Sequence, residues 1–513
     1  MSNLGGLMSK MNSITENRYT LNDIFVKNHE VWLAIPLFCY LITPIIHMIV
    51  FALNYAEKTE DEAQIVHTLA TNEWIGDYYR PIIMVFTVFA VFFAFIAIKS
   101  YRSYAKQSEI KKTADSFPFI LFVVLCGLII ISTIVNHTSR AMIWGFSNRG
   151  EGIVMVLCYF LVFYNCGSKI NSEKIKYAVI GLYLLTSIAI ATIVLFDYFG
   201  INIKFLVNGD FTAIFYHRNF YAYYLTMAIM LSAALFALEK NKAARIFAFF
   251  SFCLNSVVLA FNNSFGGFIA CLVAFVFLIV SASIKKGKFS FSALATLLVF
   301  LAICFAVGLK YESFFSELVT LGNDVEKIAT NAEDADSAGT WRWGLWRKTW
   351  EYIKERPFIG YGIEGTVDRL AADTGQEKVH NEYLDYAVEY GIPAALLYIA
   401  GLMSVFIKAL IRRKSVDNAT LVCLTASLGY IASAFFGNRM IFILPFFFIF
   451  LGLANNTEPP YKKLPLQKEE WAKATALSDA DNEETEEEPA GKSDNEGACE
   501  TEEKLTEEVE RSV

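Results

Sequence analysis

Stretch after stretch of about twenty apolar residues is the feature that most constrains this chain. A run such as Phe117–Val135, FPFILFVVLCGLIIISTIV, holds no charged residue and is long enough to cross a hydrocarbon core of roughly 30 Å. Twelve such runs are legible, at 31–54, 80–98, 117–135, 152–168, 176–198, 219–238, 244–261, 266–284, 289–309, 392–411, 419–436 and 440–455. Many are rich in β-branched and aromatic residues, which in water would favour strands. In lipid, each segment must satisfy its own backbone groups, and for runs of this length that leaves helices. The expected fold class is therefore all-α, a polytopic membrane protein of about twelve transmembrane helices. Composition agrees: 55% of residues are hydrophobic, 45 are Phe and only 19% are charged, more apolar surface than a soluble chain of 513 residues could bury.

Orientation follows from the short connections, because cytoplasmic loops carry excess Lys and Arg. With the amino terminus inside, the even-numbered connections hold 18 basic residues, among them Lys99, Lys111, Lys174, Lys176, Lys240, Arg245, Lys285, Lys288, Lys408 and Arg412. The short outer connections hold seven: Lys58, Arg80, Arg140, Arg149, Lys204, Arg218 and Arg439. Both termini are thus expected in the cytoplasm. The layout reads as a cytoplasmic segment 1–30, helices one to nine over 31–309, a large extracytoplasmic loop 310–391, helices ten to twelve over 392–455, and an acidic tail 456–513. From Thr457 onward 18 acidic residues face 7 basic ones, so the formal charge of −7 arises in the tail. Few large apolar residues occur there, and disorder is expected. Eight of the nine cysteines lie in apolar stretches without metal-ligand spacing and read as buried small hydrophobes.

Two segments of the large loop carry chemistry. The first runs from Thr340 to Pro357, where Trp343, Trp346, Trp350 and Ile353 recur at helical spacing to give an apolar face flanked by cations, suited to a membrane–water interface or to packing on the mouths of the spans. Gly360, Gly362 and Gly365 follow as a turn. The second is His380-Asn-Glu-Tyr-Leu-Asp-Tyr-Ala-Val-Glu-Tyr-Gly-Ile-Pro393, placed just before the tenth span. A histidine there stands where a lipid-linked substrate would react. Glu389 and Asp385 are candidate carboxylate partners for its ring.

The His380-Asn381 pair, followed after nine residues by Gly391, closely resembles the signature in the large outer loop of the O-antigen ligase/O-antigen polymerase superfamily. Arg342…Trp346…Pro357-Phe-Ile-Gly-Tyr-Gly362, Asn148-Arg149-Gly150-Glu151-Gly152 and His217-Arg218-Asn219 are similar to further elements of that family, and the resemblance spans roughly 115–455. It implies a GT-C-like membrane glycosyltransferase of the bacterial cell membrane, working in cell-surface polysaccharide biosynthesis. Such enzymes move a glycan from a polyprenyl-diphosphate carrier to an acceptor hydroxyl on the outer face, without metal or other cofactor and with inversion. Membrane lipid is a partner and nucleic acid is not. By the resemblance His380 is the general base, since a neutral imidazole can take the proton of a poorly nucleophilic hydroxyl. Arg342 holds the diphosphate through paired donors. Arg218 and Arg149 are further diphosphate-binding candidates, with Asn381, Glu389 and His217 in support. One departure stands out: the family's Ser-Arg-Gly at a span entry reads Ser264-Phe265-Gly266 here, so another cation must serve, with Arg218 first, then Arg149, Arg140 and Arg439. The acceptor could be a growing glycan, a lipid core or a protein hydroxyl. The rival class is a flippase or other transporter of lipid-linked oligosaccharide, against which stand the lack of a repeat between halves and the scarcity of charges in the span centres.

Overall fold

A computed structural model describes residues 29–46, 48–49, 117–137, 139–145, 150–170, 172–201, 211, 213–215, 217–311, 313–330, 335–413 and 416–456. The expected second span at 80–98, most of the last part of the first, Arg149 and the acidic tail lie outside these residues. Among the described residues every regular element is helical. They are α1 (His29–Leu41), α2 (Phe117–Val135), α3 (Arg140–Trp144), α4 (Ile153–Lys169), α5 (Glu173–Tyr198), α6 (Arg218–Leu238), α7 (Lys242–Asn262), α8 (Phe265–Lys286) and α9 (Phe291–Tyr311). The large loop supplies α10 (Ser313–Thr330), α11 (Arg342–Glu355), α12 (Val367–Thr374) and α13 (Glu382–Tyr390). Then follow α14 (Ile392–Ile411), α15 (Asn418–Ser433) and α16 (Leu444–Asn455), with short 3-10 turns at Ala335–Ser337 and Ala434–Phe436.

Eight of these helices are long and apolar enough to cross a membrane: α2, α5, α6, α7, α8, α9, α14 and α15. Two shorter apolar helices lie at Ile153–Gly167 and Leu444–Asn455. The chain is a polytopic membrane protein. Their packing is intimate because small residues admit neighbours closely, the usual device where lipid removes any hydrophobic drive between helices. Gly452 of α16 lies against Cys166 and Phe163 of α4, and Gly429 of α15 against Thr226 and Met230 of α6. The last of these helices, α6, is buried almost all round and packs on α7, α8 and α15. All eight described cysteines are free and buried or half-buried.

Polar side chains tie one end of the bundle. Lys176, at the start of α5 and fully buried, donates to Asp417 Oδ2 (2.8 Å), Thr420 Oγ1 (2.7 Å) and the Asn456 carbonyl (3.1 Å). Lys408 reaches the Asn455 carbonyl (2.7 Å) and Lys285 the Val416 carbonyl, and Asn418 donates to the Leu238 carbonyl at 3.2 Å. These contacts place the start of α5, α15 and the ends of α6, α8, α14 and α16 at one end of the bundle. The basic connections at 240–245, 285–288 and 408–413 lie there. At the opposite end stand the starts of α4, α6, α8, α14 and α16 and the ends of α2, α5, α7, α9 and α15, with the 335–391 segment joined to them.

Candidate functional site

The His380 segment is positioned from beneath by a buried ionic cluster. α13 begins with Asn381 as its cap: the amide oxygen accepts from Tyr383 N (3.0 Å) and Leu384 N (3.1 Å), satisfying donors that a helix start leaves open. Asp385 and Glu389 of this helix face Lys378 and Arg439. Lys378 Nζ lies 3.0 Å from Glu389, 3.4 Å from Glu364 and 3.5 Å from Asp385. Arg439 donates to Glu389, to Asp385 (3.1 Å) and to the Tyr390 hydroxyl (3.2 Å), with its guanidinium 4.8 Å from the Tyr386 ring centre. Burial opposes the charge on Lys378, but Asp385, Glu364 and Glu389 outweigh it and hold the ammonium above its usual range. Burial likewise works against ionised Glu389, and Arg439 and Lys378 overcome it, bringing the carboxyl down to about 2. Beside them, burial pushes Glu151 up to about 8 despite nearby Arg439, and its Oε1 accepts from Tyr159 at 2.9 Å. Glu382 accepts from Tyr398 and from Tyr430 (2.8 Å).

The 357–362 turn is sewn to the end of α13. Ile392 N donates to the Pro357 carbonyl (2.7 Å), Tyr361 N to Val388 (3.0 Å) and Gly362 N to Glu389 (2.8 Å). From α2, Ser132 Oγ lies 2.6 Å from the Ile359 carbonyl and 2.9 Å from that of Glu389. Gly391 has φ +90°, and a Cβ there would run into the Phe358 carbonyl; one at Gly360 would run into the Glu389 backbone. These two glycines of the motif answer to close backbone approach.

On α11 the buried side is Leu345, Thr349, Tyr352 and Ile353, with Trp350 46% and Trp341 68% exposed. The expected Trp343–Trp346–Trp350–Ile353 face is therefore not the packing face. At 100° per residue the buried stripe is rotated by roughly a quarter-turn from the aromatic one. Ile353 belongs to both stripes, and Trp346 also makes tertiary contacts: it packs on Phe435, and its Nε1 donates to the Val379 carbonyl at 3.1 Å, linking α11 to the residue before His380. Arg342 opens α11 after Gly339, Thr340 and Trp341, all at positive φ (64°, 59° and 68°). Such backbone costs a non-glycine residue roughly 1–2 kcal/mol.

His380 is itself at φ +54°. Its backbone N–H donates to Asn438 Oδ1 (2.8 Å), and its ring Nδ1 lies 3.3 Å from Asn438 Nδ2. Burial lowers the imidazole pKa to about 4, and the charges of Arg342 and then His217 add to the effect. His217 caps α6, its Nδ1 accepting from Asn219 N at 3.1 Å, and its own pKa is lowered by burial, Arg218 and Arg342. His380, Arg342, His217 and Arg218 therefore share one electrostatic neighbourhood, drawn from the α13 approach, the start of α11 and the start of α6. The α7–α8 turn adjoins it: Asn262 Nδ2 donates to the Arg218 carbonyl (3.0 Å), and Ser264 Oγ lies 3.2 Å from Asn219 Oδ1.

Other expected residues sit elsewhere. Glu389 and Asp385 do not orient the His380 ring; both are engaged by Lys378 and Arg439, because α13 turns their face toward the cluster. Arg439, 2% exposed, is held by that cluster. Asn381 serves as a helix cap, and Arg149 lies outside the described residues. Lys378, Glu364 and Asn438 were not anticipated. The available signal was the polar Gly437-Asn438-Arg439 between two apolar runs, and a lysine two residues before the histidine.

Compared with known families, residues 247–399 match the O-antigen ligase family. The match runs from α7 into α14 and includes Arg342 and His380, while His217, Arg218, Asn438 and Arg439 lie outside it. No curated protein matches the chain.

Proposed function

We propose, starting from its O-antigen ligase region, that this membrane protein transfers a glycan from a polyprenyl-diphosphate carrier to an acceptor hydroxyl at the extracytoplasmic face. The observation that carries this reading is the gathering of His380, Arg342, His217 and Arg218 from three separate parts of the fold. Two guanidiniums beside two neutral, charge-disfavouring imidazoles make an environment that an anion would relieve. A diphosphate fits that need, since Arg matches its oxygens with paired donors. The end of the bundle opposite this site carries the basic connections, which favours the site lying outside the cytoplasm. Trp341, which directly precedes Arg342, is exposed, where a lipid-borne substrate would arrive.

In the transfer, the acceptor oxygen bonds to the anomeric carbon from the face opposite the carrier. The carbon–oxygen bond to the carrier breaks with its electrons passing to the diphosphate, and the acceptor proton is lost to water as the new bond completes. The anomeric centre inverts, and no metal or cofactor is assigned a role. Charge grows on the diphosphate as it leaves, so donors aimed there lower the barrier most. Arg218 takes the part of the arginine missing at Phe265, for the α7–α8 turn is bonded to its carbonyl. The test is purified protein in lipid nanodiscs with polyprenyl-diphosphate glycan and glycan, lipid or peptide acceptors. Transfer should be lost in His380→Ala and impaired in Arg342→Lys. Turnover retained by His380→Ala removes that residue from the reaction, and donor movement across the bilayer without transfer would point to a flippase.

A further inference from the structure

We infer that Asn438 is a positioning residue that holds His380 in the Nε2–H tautomer, so that the ring meets the substrate diphosphate as a hydrogen-bond donor and not as a base. Amide orientation is usually ambiguous, but here the backbone fixes it. The His380 N–H can only donate, so the atom 2.8 Å from it must be the amide oxygen. The Asn438 NH₂ then faces ring Nδ1 at 3.3 Å, and Nδ1 must accept. In a neutral imidazole the proton consequently sits on Nε2, which leaves that nitrogen no lone pair with which to take an acceptor's proton. Three features fix Asn438 itself. It is 9% exposed, the next residue is Arg439 in the ionic cluster, and the preceding Gly437 lies where any Cβ would strike the Tyr223 hydroxyl. The charged or titratable groups acting on the His380 ring are Arg342 of α11 and His217 of α6, and both disfavour a second proton. A neutral ring that donates can stabilise a departing anion without gaining a charge beside two arginines.

The inference rests on the proposed transfer, and it has its own readout. Nitrogen-15 NMR of histidine-labelled full-length protein in nanodiscs, with His380→Gln for assignment, should show the Nε2–H tautomer at His380. Adding polyprenyl diphosphate should shift the Nε2–H signal. An Nδ1–H tautomer, or no response to the lipid, overturns the inference whatever the activity assay gives. Asn438→Asp keeps an acceptor for the His380 backbone N–H, so the fold is retained, while its second oxygen calls a proton onto Nδ1. That variant should show the reversed tautomer, a His380 ring titration moved up from about 4 in the same NMR experiment, and kcat lowered about 10²-fold, the scale of one lost donor to a developing anion. Transfer by Asn438→Asp at or above the wild-type rate would establish the base role and refute the donor role. Absence of transfer in the wild type would refute the proposed function and leave the NMR result to decide the tautomer.

Discussion

Replacing Arg439 by Gln should destabilise the protein severely, and it separates a structural arginine from a substrate-binding one. Glu364, Asp385 and Glu389 are each no more than 6% exposed and are held by two cations, Lys378 and Arg439. Without the guanidinium, three buried carboxylates share one ammonium. Glu389 loses one of its two cationic partners, and the Tyr390 hydroxyl and Tyr386 ring lose a cation. Breaking a buried pair from one side costs about 3–5 kcal/mol, because the remaining charge is stranded. At about 2 °C per kcal/mol for a large domain, the melting temperature should fall by roughly 5–10 °C. Thermal unfolding in nanodiscs, followed by intrinsic tryptophan fluorescence, measures this. Adding Glu389→Gln to Arg439→Gln should recover part of the loss, a coupling that a double-mutant cycle isolates. A melting temperature within about 1 °C of wild type, with a raised donor KM, would refute the assignment and return Arg439 to the donor site.

Three further outcomes are expected. Because the folded-state pKa of His380 is lowered to about 4, its ring is neutral above that value, and a second proton on Nδ1 would leave the Nε2–H donor in place; kcat/KM should show no His380 limb between pH 5 and 8, and a limb in that range of a pH–rate profile would contradict the donor role. Gly391→Ala should abolish folded protein on size-exclusion chromatography, since a Cβ would meet the Phe358 carbonyl at φ +90°. Gly375→Ala, with open space and φ +71°, should cost only about 1 kcal/mol of strain. Arg218→Gln should raise donor KM about tenfold, and Phe265→Arg in the same chain should restore it; a double variant no better than the single one would place the substitute cation elsewhere.

How much of this was legible in the sequence follows from the physics of each part. A bilayer demands long apolar runs that satisfy their own backbone, so the helices α2, α5 to α9, α14 and α15 could be read directly. The His380–Gly391 element was legible because its residues are consecutive, and its glycine answers to a backbone approach that no other residue allows. The ionic cluster was not, because Glu364, Lys378 and Arg439 come from outside α13 to meet Asp385 and Glu389, and no periodicity joins those three to it. Glu389 was assigned to the wrong partner for the same reason. Spacing from His380 could be counted, but the face that α13 presents to Lys378 and Arg439 depends on tertiary packing. Asn438 shows the same limit: a polar residue in a short connection looks unremarkable until its amide is found spanning the backbone and ring of a residue 58 positions away.

The placement of the ionic cluster explains why the site can tolerate its own strain. His380, Thr340, Trp341 and Glu364 all occupy positive φ, each an unfavourable backbone state that persists only where surroundings over-determine it. Glu364 is clamped between Lys378 and the Glu389 carboxylate, which accepts from its backbone N–H at 3.1 Å. Asp324 accepts from Gly339 N at 2.8 Å just ahead of the strained pair before Arg342. His380 is gripped by Asn438, whose neighbour Arg439 is anchored in the same cluster. Buried ion pairs rarely add stability over apolar packing, but they penalise every arrangement that leaves a charge unmatched. In this fold that penalty falls on any slippage of α13 or of the 437–439 turn, the two segments that set the His380 ring. Stability is thereby exchanged for a single geometry around the His380 ring.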